Sequence, residues 1–111
     1  MLDEMKFRSL VEIALNSLMQ HLIKREEEEG AGFEVEEQGG VLNVLFEEPA
    51  GKFVITPNTP VRQIWISALA TSFKLGWSDT ARAFVLDKTG ETLSRVMSRI
   101  LSEKTGSTVQ V

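Results

Sequence analysis

Apolar residues recur along the N-terminal stretch with a helical period. Phe7, Val11, Ala14, Leu15, Leu18 and Leu22 fall on one stripe, which predicts an amphipathic helix over residues 3–25. Gly30 and Gly32 end it, and the period then changes from 3.6 to 2. Phe33 and Val35 alternate with Glu34 and Glu36, and Gln38-Gly39-Gly40 has the composition of a hairpin turn. Leu42, Val44 and Phe46 alternate through a second strand. Phe53 and Ile55 mark a third strand over 52–56, after a turn at Pro49-Ala50-Gly51. Pro57-Asn58-Thr59-Pro60 reads as a loop.

Ile64 and Ile66 alternate with Gln63, Trp65 and Ser67 in a fourth strand. Short strands around 72–75 and 83–86 follow, separated by an expected turn at Gly76-Trp77-Ser78-Asp79. Leu93, Val96, Met97, Ile100 and Leu101 match the i, i+3, i+4, i+7, i+8 template of a final helix, which stops near Gly106. Residues 1–106 thus form one domain and 107–111 a C-terminal tail.

Helix, five or six hairpin-joined strands, helix describes an α+β chain. Strands joined by tight turns need no crossover, so the sheet is expected to be mainly antiparallel. Each helix has a single apolar stripe, and both can cover the same sheet face. The expected architecture is a two-layer α/β sandwich with one sheet face left open. Two buried isoleucines outweigh one tryptophan in apolar area, so Ile64 and Ile66 should face the core and Trp65 the open side. A large aromatic on an open sheet face suits a surface that a partner covers. Asn43 lies on the same face.

Composition then narrows the chemistry. The 111 residues carry 16 Asp and Glu against 12 Lys and Arg, a net charge of −4. The acid is local: Glu26–Glu29, then Glu34, Glu36, Glu37, Glu47 and Glu48. Phosphate repulsion argues against nucleic acid, and basic protein surfaces or cations fit better. Having no cysteine and only His21 excludes disulfides, thiolate sites and histidine-rich zinc sites within one chain. No stretch is apolar enough to span a bilayer and no signal-peptide pattern opens the chain, so no membrane role and a cytoplasmic location are expected; a processed organellar protein would look the same. No nucleophile elbow, phosphate loop or dinucleotide motif is present, and the solvated glutamates lack opposed environments for acid–base work. An enzyme is not expected.

Specific residues carry a resemblance. Thr59-Pro60, Gln63-Ile64-Trp65-Ile66-Ser67, Trp77 and Asp87-Lys88-Thr89-Gly90-Glu91-Thr92, within this helix–sheet–helix order, resemble the frataxin/CyaY family from Phe7 to Gly106. The resemblance implies an iron-associated accessory protein of iron–sulfur cluster assembly acting on the cysteine desulfurase and its scaffold protein; a monomer is expected, although the sequence does not set the oligomeric state. It places partner contacts at Gln63 and Trp65, with Asn43 nearby and Lys74 as the basic contributor. It also implies weak binding of Fe²⁺, Fe³⁺ or other divalent cations on acid along the first helix and strand, here Glu12, Glu27, Glu28, Glu34 and Glu36. Arg8, Glu12, Asn16, Gln20 and Lys24 form the edge stripe of the helix, where family members carry several acids, so this chain's acid is displaced to the helix–strand junction. A metal-independent interaction module of the same fold, with an unrelated partner, is the alternative. An iron-oxidising or iron-storing protein would need a better ligand set.

Overall fold

The computed structural model describes residues 2–111. Helix α1 spans Glu4–Glu26 and is capped by Asp3, whose carboxylate accepts the Lys6 N–H at 2.8 Å. Its stripe Phe7, Val11, Leu15, Leu18 and Leu22 is buried. Six strands follow: β1 Phe33–Gln38, β2 Val41–Glu47, β3 Ala50–Asn58, β4 Gln63–Ala68, β5 Thr71–Ser78 and β6 Ala83–Leu86. They pair in sequence order as one wholly antiparallel meander. Helix α2, Leu93–Thr105, is capped by Thr92 and ended by Gly106 at φ 74. Both helices pack on one sheet face.

The core has a single sign of chemistry. Phe33, Val44, Phe53, Ile55, Ile64, Ile66, Leu75 and Phe84 from the sheet meet both helical stripes, and no polar or charged side chain is buried among the described residues. Phe7 of α1 meets Phe84 edge-on at 5.9 Å, and Phe46 meets Phe53 edge-on at 4.8 Å. Residues α2 was expected to bury are those it buries.

Several boundaries differ from the periodicity. Strand β3 extends at both ends, taking in Ala50-Gly51 and Pro57-Asn58, and a single 3₁₀ turn, Thr59–Val61, takes the other half of the expected loop. Pro57 is tolerated because it lies near the end of its strand. Gly76-Trp77-Ser78 is not a turn: it continues β5, with Trp77 opposite Phe84. The indole packs edge-on against that ring at 5.3 Å, and this contact outweighs the turn-like composition. The turn lies at 79–82 instead. Between β4 and β5, Leu69 and Ala70 both adopt positive φ, 54 and 60, in a tight turn with no glycine to announce it. At Gly39 and Gly40, φ of 59 and 85 fits the hairpin that their composition predicts.

The tail has no regular structure but follows α2. Ser102 Oγ accepts the Val109 N–H at 2.9 Å and Ser98 Oγ accepts that of Val111 at 3.0 Å. Arg25 Nε donates to the Gln110 carbonyl at 2.8 Å, so the tail also touches α1.

Candidate functional site

The open sheet face follows from the register. Ile64 and Ile66 are fully buried beneath the helices, so the alternation of β4 turns Gln63, Trp65 and Ser67 to the other side. Thr56, Trp65 and Lys74 lie side by side on β3, β4 and β5. Trp65 Nε1 donates to Gln63 Oε1 at 2.8 Å, and Lys74 Nζ sits 4.6 Å from the indole centroid. The ring is therefore held on two sides, half-buried, with its remaining surface facing out.

Gln63, Trp65 and Lys74 come together as one unit. Asn43 does not join it: it opposes Val54, which opposes Ser67, so it stands two strands away and in the next row. Half-buried Val54 fills the space between. Thr56 and Val54 are members of this surface that sequence reasoning missed. The signal that places them is pairing register, which depends on turn lengths that composition left open. Charge grades across the face, from Glu34 and Glu36 on β1 to Lys52 on β3 and Lys74 on β5.

The acidic residues are spread more widely. Glu12 and Glu27 are separated by 15 residues of helix, about 22 Å. Glu12 lines a groove of about 860 Å³ between α1 and the first hairpin, together with Arg8, Asn16 and Glu37. Glu37 opposes core-facing Leu42 and so lies on the helical side, while Glu34 and Glu36 point to the open face. At the junction, Glu26 Oε2 accepts the Val35 N–H at 2.8 Å, and Glu28 pairs with Arg25 at 2.9 Å. These contacts fasten the helix end to β1 and leave Glu27 and Glu29 as solvated charge. Among the described residues, no three His, Asp or Glu side chains are placed to hold one metal ion. The carboxylates do not fit a resident metal centre; they form a diffuse negative field.

One carboxylate is strongly engaged elsewhere. Glu91, ahead of α2, accepts Arg99 Nε and Nη2, each at 2.9 Å. The hydrogen bond from Arg99 holds its pKa below the usual carboxylate value, against a smaller opposing effect of burial, with Thr89 assisting. The Arg99 guanidinium is 5.7 Å from the Phe73 ring centroid.

This fold, with a tryptophan on a helix-free sheet face and acid at one flank, defines a class of protein. The family description "Frataxin-like domain" matches residues 1–107, and the chain belongs to that family. It is 29% identical over 105 residues to an "Iron-sulfur cluster assembly protein CyaY" of Pseudomonas putida, covering 95% of this chain and 91% of the relative. A protein of the same name from Azotobacter vinelandii is 24% identical over 109 residues, covering 98% and 94%. Among solved structures, the frataxin of Psychromonas ingrahamii superposes with a TM-score of 0.76 at 21% identity, covering 98% of this chain and 97% of that one. That likeness supports the fold. No helix among the described residues is long and apolar enough to cross a membrane.

Proposed function

We propose that this chain is an accessory protein of iron–sulfur cluster assembly that regulates by docking on a cysteine desulfurase–scaffold complex. The observation that carries the reading is the Gln63–Trp65–Lys74 unit on the sheet face away from both helices. Its indole is braced before any partner arrives, which lowers the ordering cost of contact, and a braced aromatic anchor suits the centre of an interface. The names carried by its relatives supply the pathway. The glutamates of the helix–strand junction act as an electrostatic guide toward basic partner surfaces, raising the encounter rate more than the lifetime of the complex. Iron, in this reading, is a cation loosely attracted by that field. The sulfur chemistry belongs to the desulfurase.

Titration calorimetry with the desulfurase–scaffold complex tests this. Trp65→Ala is expected to weaken binding about tenfold or more. Replacing Glu26–Glu29 by glutamine should mainly reduce the association rate and its salt dependence, followed by stopped-flow mixing. Failure of the wild-type chain to bind the complex would overturn the reading. The dispersal of the carboxylates favours one rival, a metal-independent interaction module with a different partner. Binding of the desulfurase complex unchanged by removal of all divalent cations would be compatible with either mode of docking, so partner identity decides between them.

A further inference from the structure

The helical side of the molecule has a feature that docking through the open sheet face does not use. A groove of about 320 Å³ runs between α1, β6 and the start of α2. Leu18, Phe84, Leu93 and Trp77 line it, with Ile13, His21 and Arg82. The first three of these are core residues, so this wall is fixed by packing. Trp77 is fixed as well, by its edge-on contact with Phe84 and by the 2.9 Å hydrogen bond from Nε1 to Asp79. Ile13, by contrast, is 66% exposed, beside the partly buried Leu10 and Ala14 of the same helix. The volume lies at the lower end of the ~300–1,000 Å³ common for small-molecule sites. It suits a compact ligand better than a partner's helix or strand.

The groove lacks the acidic side chains that dominate the chain. No Asp or Glu lines it; Val111 does, its terminal oxygen accepting from the Ser94 hydroxyl on the α2 side and so engaged there. Arg82 has no carboxylate partner among the described residues. His21 directs Nδ1 to the Ser17 carbonyl at 2.8 Å, which leaves Nε2 for another partner. An apolar wall beside an unpaired guanidinium is complementary to an apolar molecule that ends in a carboxylate, which the planar fork of arginine can hold with two hydrogen bonds. We propose that this groove binds a small free monocarboxylate with an aliphatic or aryl body, the body against Trp77 and Ile13 and the carboxylate on Arg82.

The two tryptophans make the test direct, because their indole N–H groups report opposite sides of the sheet. The full chain is titrated with octanoate, and separately with 1-octanol, while both indole resonances are followed by NMR. Octanoate is expected to shift the Trp77 signal saturably, leave Trp65 unmoved, and bind about tenfold more tightly than octanol. Arg82→Glu should weaken octanoate binding about tenfold or more. Ile13→Glu, on an exposed helical position that leaves the Arg82 turn intact, should do the same. The proposal is overturned by shifts that fail to saturate, that move Trp65 equally, that octanol reproduces, or that survive both substitutions.

Discussion

Neighbouring residues on β4 have opposite duties, and substitution separates them. Ile64 is fully buried, so Ile64→Ala should destabilise the fold by about 2–5 kcal/mol through lost burial and the cavity left behind. Trp65→Ala removes a hydrogen bond and a cation–π contact at a half-exposed position, and about 1 kcal/mol or less is expected. Urea unfolding of both variants checks the contrast. It depends on the alternation of two isoleucines around a tryptophan, which was readable from five residues of sequence. The bracing of the indole was not readable, because it requires knowing that Lys74 is its cross-strand neighbour.

Glu91 gives a second residue-level expectation. Its pKa is lowered in the folded state from an ordinary value of 4.5, chiefly by the Arg99 hydrogen bond, so it contributes stability above that value. That contribution is lost as the pH falls through the folded-state value, because the unfolded state takes up its proton first and the loss is complete once the folded state is protonated too. Wild type should therefore lose its advantage over Glu91→Gln on acidification below about pH 5. Urea midpoints measured across that range test the sign: an advantage that grows with acid would contradict it.

At the level of elements, sequence and structure part company where composition and contact disagree. Both helices and the cores of all six strands were legible because their periodicity is uninterrupted. The second half of β5 was not, since Gly76 beside Trp77-Ser78-Asp79 has the composition of a turn, and only the packing of Trp77 on Phe84 reveals the strand. Leu69-Ala70 turns without any turn residue. The tail was equally opaque, because its anchors are serine hydroxyls of α2 rather than a hydrophobic pattern of its own. Ser102 both donates to the Val109 carbonyl, at 3.2 Å, and accepts its N–H. Ser102→Ala should therefore cost about 0.5–1.5 kcal/mol per bond lost and speed hydrogen exchange at the Val109 amide, with little change in β4.

Considered as a whole, the molecule keeps two faces for different purposes. One is sealed by helices over an all-apolar core; the other holds aliphatic side chains around Trp65, with acid on the β1 flank and lysine on β3 and β5. The family was legible from the order of elements and the Gln-Ile-Trp strand. The candidate metal residues were legible only as charge: that they stand apart along a helix, across a junction and on a strand edge depends on distances no sequence states.

Cross-saturation NMR on the isotope-labelled chain bound to an unlabelled desulfurase–scaffold complex reaches the central claim most directly. The account predicts attenuation of the Trp65 indole and of the Thr56 and Lys74 amides, with the Trp77 indole spared. Attenuation confined to α1, α2 and Trp77, with Trp65 untouched, would contradict it.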